Sequence, residues 1–185
     1  MKRKHEIPRI TDDIATPEQL AAIRRHEAMG LKMTNMKRTM LNNVPVFEAF
    51  TDIMNAVGAQ LQGKIPQRAL TFFLYASPSS NQCMVCGTYF YKMLLDMGID
   101  DFENFEFTEE ENDLIAFAYA ITNDANHVPD VIYERLQARY DDETMTVLVV
   151  NAVMTHANNL FNNITGVELD DHLKPYFSGE EEGWA

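Results

Sequence analysis

Apolar positions in this chain recur three and four residues apart and almost nowhere alternate strictly with polar ones, which is the period of helices. The clearest stretch is Val46, Phe47, Phe50, Ile53, Met54 and Val57, opened by Asn43-Val44-Pro45 and ended by Gly63. Upstream, Thr16-Pro17-Glu18-Gln19 combines an N-cap, a proline at the first helical position and a box-like glutamine, predicting a helix to about Met29. Thr34 caps a short helix to about Asn42, and Pro66 opens one through Leu70, Phe72, Phe73 and Leu74. Thr108-Glu109-Glu110-Glu111 is a capping box ahead of Leu114, Ile115, Phe117, Ala118 and Ile121. Pro129 opens a helix carrying Val131, Ile132 and Leu136. Asp141-Asp142-Glu143 begins the longest one, which reaches Thr165 and stops at Gly166. Val147-Leu148-Val149-Val150 would suit a strand in isolation. The helical period nevertheless continues through Val153, Ala157, Leu160, Phe161 and Ile164, so the segment reads as helix. With no hairpin signal, repeat or glycine-rich phosphate loop, the pattern predicts an all-α fold.

One further helix carries the candidate chemistry. Cys83 and Cys86 are the only cysteines, in Asn81-Gln82-Cys83-Met84-Val85-Cys86-Gly87. Ser77-Pro78-Ser79-Ser80-Asn81 reads as a loop of turn formers, Ser80 or Asn81 as an N-cap, and Gly98 as the stop after an apolar run to Met97. The cysteines then fall in the first helical turn, where free N–H groups and the positive end of the dipole favour a thiolate. A thiolate beside a second thiol suits peroxide reduction or disulfide exchange. Two further readings compete with redox use: two small buried apolar residues on one helix face, and part of a zinc site. Against zinc, there is no second C-x-x-C or H-x-x-x-H, so His127 and His156 would join only by folding.

The bulk numbers narrow the classes. At 185 residues and 46% apolar, the chain has enough for one globular core. No apolar run approaches a membrane span, and Met1-Lys2-Arg3-Lys4-His5-Glu6 leads into no signal-peptide core, so a cytoplasmic protein is expected. The net charge of −13 argues against nucleic-acid binding. It is unevenly spread: the first 40 residues hold nine Lys/Arg against five Asp/Glu, as a basic arm for an acidic body, its own or a neighbour's. Gly179-Glu180-Glu181-Glu182-Gly183 reads as a solvated, flexible tail.

Taken together, these segments resemble the carboxymuconolactone decarboxylase superfamily, and within it the alkylhydroperoxidase D-like branch. Met40-Leu41-Asn42-Asn43-Val44-Pro45-Val46-Phe47-Glu48-Ala49-Phe50 is similar to the family's lead-in segment. Phe107 to Thr122 resembles its post-cysteine helix. Asn158 to Leu169, ending in Gly166-Val167-Glu168-Leu169, resembles its closing helix and turn. The resemblance divides the chain into an arm and helix (residues 1–30), the helical domain (31–176) and the acidic tail (177–185). It implies a helical bundle that assembles as a homo-oligomer, a trimer or hexamer. It also implies a peroxiredoxin-type enzyme that needs no cofactor and no metal. In it Cys86 attacks a hydroperoxide or disulfide, Cys83 resolves it, and a dithiol reductant restores the pair.

The family's peroxidases also carry a His four residues after the second cysteine and a Glu about twelve before the first. Here Phe90 and Thr71 stand near those places. No Asp or Glu lies between Asp52 and Asp96, and no His between His26 and His127. A base would come from His127 or His156, and Tyr89 offers a hydroxyl to a thiolate. Asn151, Thr155, Asn158, Asn159, Asn162 and Asn163 surround His156 in sequence and could line a pocket. Each candidate also has a plainer reading: His127 as a turn residue, His156 with its neighbouring asparagines as a solvated or inter-subunit face, and Tyr89 as packing. Phe72, Phe73, Phe90 and Tyr91 read as core, and Met84 as the methionine placed to touch a ligand. The alternatives to a thiol peroxidase are a redox-sensing or non-catalytic oligomer and a lactone decarboxylase, a branch that typically does without the cysteine pair.

Overall fold

A computed structural model describes residues 7–101 and 104–177, including all of their side chains except those of 78–81. The acidic tail from residue 178 and the first six residues of the basic arm lie outside the described residues. Eight helices follow one another: α1 (Pro17–Ala28), α2 (Asn35–Met40), α3 (Val44–Leu61), α4 (Gln67–Asn81), α5 (Met84–Asp96), α6 (Glu109–Asp124), α7 (Asp130–Arg139) and α8 (Asp142–Thr165). A short 3₁₀ turn (Lys174–Tyr176) closes the order. Among the described residues there is no β-strand, and no helix is long and apolar enough to cross a membrane.

The capping chemistry acts where the sequence places it. Thr16 and Gln19, and Thr108 and Glu111, form reciprocal capping boxes. Asp141 accepts from the amide of Thr144, and Asn43 from that of Val46. Gly166 takes the left-handed conformation that stops α8, at φ 69°.

The main core is built by α3, α4, α6, α7 and the first half of α8. Leu61, Phe73, Leu114, Ala118, Leu136 and Leu148 are sealed there from solvent, each large side chain contributing about 1.5–3 kcal/mol of burial. Two contacts show that α4 and α6 run parallel. Arg68 pairs with Glu111 near both N-termini at 2.5 Å, and Thr122 meets Ser77 near both C-termini at 3.4 Å. Glu111 is almost wholly buried and both caps its helix and answers Arg68. A second cluster gathers Ile10, α1, α2 and the start of α3, with Phe161 of α8 laid against it. Within it, the buried ring of His26 packs on Phe47 and meets Lys37 Nζ at 3.0 Å.

The structure corrects one expected loop. Residues 77–81 are the last turn of α4, not a connection. Their local turn preference yields to packing: Ser77 is fully buried against α6, and a helix is the way to keep it there. The break falls at Gln82, the one described non-glycine residue with positive φ, at 56°. Ser80 and Asn81 therefore end one helix rather than cap the next.

Candidate functional site

Because α4 runs on to Asn81 and Gln82 reverses the chain, Cys83 becomes the N-cap of α5 and Cys86 lies in its first turn. The helix begins where Gly87 N–H donates to the Cys83 carbonyl at 2.8 Å. Both cysteines are free thiols and both are buried. Across from them lies Asn162 of α8. Its Nδ2 donates to Cys86 Sγ at 3.1 Å and reaches Cys83 Sγ at 3.8 Å.

The two thiols are unequal. Cys83 is held below the ordinary thiol range, first because the Cys86 thiol donates to it. The backbone N–H groups of Cys86 and Val85 and the Asn162 amide add to this, and burial opposes it. Although Cys83 forms no formal side-chain cap, those amides favour its anion, as a helix N-terminus does. Cys86 is pushed well above the ordinary range, first because its proton is engaged by Cys83, then by burial and by the negative charge on Cys83. Asn162 alone works the other way. Apart from burial, every contribution comes from this trio and two neighbouring amides. The pair behaves as one acid that loses a first proton readily and a second with difficulty.

The other candidates are dispersed. Tyr89 is exposed and sits edge-on to Phe90. His127 occupies the turn after α6, exposed, with Nδ1 2.5 Å from Asp124. His156 is half-buried on α8, six positions before Asn162 and so about 240° away around the helix. Among the described residues, no hydrogen bond joins any of these three to a sulfur. Thr71 is buried in α4 and donates to the Gln67 carbonyl at 2.8 Å. No described group of three His, Cys, Asp or Glu could hold a metal ion.

Two packing expectations need correction. Phe72 and Phe73 are core, but Phe90 and Tyr91 are only half-buried. Phe90 stands four residues, one turn, beyond Cys86 on α5. The second correction concerns α8. Its polar positions Asn151, Thr155, Asn159 and Asn162 are buried within the protein, whereas Val153, Leu160 and Ile164 are 61%, 51% and 70% exposed. A solvated polar face is therefore replaced by a buried one. The density of asparagine within one helix, where it is a poor former, is the sequence signal of such an interior; nothing local singles out Asn162 from the others.

No protein-family profile and no curated protein matches this sequence. Solved structures do. The debrominase Bmp8, as a cysteine-to-alanine variant in complex with 2,3,4-tribromopyrrole, superposes with a TM-score of 0.75 at 17% identity, covering 94% of this chain and 96% of that one. Its apo form gives 0.73 at 18% identity over 92% and 95%. An uncharacterized peroxidase-related protein from Silicibacter sp. TM1040 gives 0.69 at 16% identity over 97% and 99%. The likeness establishes the all-α, carboxymuconolactone decarboxylase-like fold.

Proposed function

We propose that this protein is a thiol-dependent oxidoreductase in which Cys83 and Cys86 alternate between dithiol and disulfide. The observation that carries the proposal is the convergence of two free, buried sulfurs on one donor, Asn162 Nδ2, at the start of a helix. That arrangement favours one thiolate beside one thiol, the state a two-electron thiol reductant needs. The favoured substrate is a hydroperoxide. Cys86 attacks the peroxide oxygen, the alcohol departs, and Cys83 displaces hydroxide from the resulting sulfenic acid to close the disulfide. A dithiol reductant then reopens it. A purely structural pair would be inert instead. The test is peroxide consumption with a dithiol present: Cys86→Ser abolishes it, and Cys83→Ser leaves a trapped sulfenic acid or mixed disulfide visible by mass spectrometry. Unaltered turnover in Cys86→Ser removes the role given to Cys86.

A second reading, reductive dehalogenation, is favoured by two observations. One is the fold likeness to the debrominase Bmp8; the other is the apolar Phe90 four residues after Cys86, where the peroxidases that the sequence resembles carry a His. Here the thiolate takes the halogen of an activated aromatic, the ring carbanion takes a proton, and Cys83 displaces halide from the sulfenyl halide. Halide release from a brominated pyrrole, against peroxide loss, separates the two substrates.

The exposed apolar residues of α8 support assembly as a homo-oligomer, since large exposed apolar patches mark interfaces.

A further inference from the structure

Among the described residues, no charged side chain tunes the thiol pair. The residues that tune it are the two cysteines, two α5 amides and one neutral amide from a helix 76 residues away in sequence. We propose that Asn162 is a catalytic residue of this site: its NH₂ group spans both sulfurs, so negative charge passes from Cys83 to Cys86 without leaving its hydrogen-bond donor. The inference rests on the pair being the reactive centre.

The geometry gives Asn162 this role over a packing one. Its Nδ2 is within hydrogen-bonding reach of both sulfurs, nearer to Cys86. Its other amide atom, Oδ1, is buried without a protein partner. A packing amide would spend both atoms on the fold, whereas here the donor end is spent on sulfur. Asparagine also has no proton to lose. The base for Cys86 is then Cys83 itself, which supplies what a His one turn along would supply.

The Cys86 proton moves to Cys83 Sγ, and the charge moves to Cys86 Sγ, which keeps the shorter bond to Asn162. The Cys86 anion attacks the distal oxygen of a hydroperoxide, the O–O bond breaks, and the alkoxide takes the proton from Cys83 to leave as an alcohol. Cys83, again an anion, attacks the sulfenic sulfur of Cys86 and expels hydroxide. The pair has lost two electrons, the peroxide has gained them, and a dithiol reductant returns them.

The test is the pH dependence of iodoacetamide alkylation of Cys86 in the full chain, with Cys83→Ser leaving one reporter thiol. Adding Asn162→Ala should raise the alkylation midpoint by about one pH unit, and so slow alkylation about tenfold at neutral pH. Asn162→Asp keeps the side-chain volume, puts a carboxylate against sulfur, and should raise the midpoint further. Asn151→Ala removes another buried amide from the same helix, about three turns away, and should leave the midpoint unmoved. Circular dichroism selects the folded variants, with Asn162→Asp the one that preserves packing. A midpoint that stays in place in either folded Asn162 variant, or moves equally in Asn151→Ala, overturns the inference. The readout needs no turnover. A midpoint that moves in a protein that reduces neither peroxide nor aryl halide overturns the proposed function and the catalytic role with it, leaving only Asn162's stabilisation of the Cys86 anion.

Discussion

The two halves of α8 are built on opposite plans. From Met145 to Ala152 the inward positions are largely apolar and join the main core, with Leu148 sealed completely. From Thr155 to Thr165 the inward positions are Thr155, Asn159, Asn162 and Thr165, while Leu160 and Ile164, like Val153 just before them, face outward. The first half is what stability alone selects. The second forgoes apolar burial and leaves amide atoms of Asn158, Asn159 and Asn162 without protein partners. Unmet buried polar groups cost about 1–3 kcal/mol each. The helix accepts this at the end that lies beside the protein's only two cysteines.

The outward face gives the largest expected effect. If it meets another copy, replacing Val153 and Ile164 together with Lys leaves a 21.2 kDa particle by light scattering, with Cys86 alkylation unchanged. A wild-type chain that is already monomeric at micromolar concentration removes the oligomer. Next comes the inward apolar half. Leu148→Ala should lower unfolding stability by about 2–5 kcal/mol in urea titrations, with no shift in thiol midpoint. Loss of the thiol signature along with stability would show that the halves are not separable. In the polar half, Asn159→Leu exchanges a fully buried, unpartnered amide for an apolar group of similar size. Its stability should hold or rise, by about 1 kcal/mol. A large loss in the same titration would mean that Asn159 supports the fold.

The smallest expected effect concerns the cluster that supports α8 from outside through Phe161. His26 in that cluster is pushed below its ordinary 6.5, first by burial and then by Lys37, against the Lys32 carbonyl and Glu27. Lys37 is itself pushed down by burial, with Asp170 opposing. The unfolded chain therefore binds a proton at His26 that the folded chain resists, and stability falls as pH drops through 6.5 toward the lower folded value. Urea midpoints at pH 7.5 and 5.5 should differ more in the wild type than in His26→Gln. Equal differences would place the pH sensitivity elsewhere.

Helix boundaries set by caps were legible because capping is local: Thr16, Thr108 and Asp141 need only the next three residues. Ser77 to Asn81 misled for the same reason. Their local preference is for turns, and the contact that makes them helix, Ser77 against Thr122, is 45 positions away. The cysteine pair was visible as a motif, but its helix was expected to start from a cap at Ser80 or Asn81, whereas the N-cap is Cys83 itself. Its donor was not visible, since no local pattern links Asn162 to Cys86. The polar stripe of α8 showed its composition in sequence but not its direction, because asparagine suits either a wet surface or a furnished interior.

The span between Asn162 and Cys86 has a consequence for how the protein is made. A ribosome releases α4 and α5 long before it releases the end of α8, so the thiols meet the cell first and their amide partner last. During that interval they are ordinary, open thiols. The amide donor reaches both sulfurs only when the last helix docks. Pulse alkylation during refolding would therefore record a single late event, with cysteine protection keeping time with α8 rather than with collapse of the core.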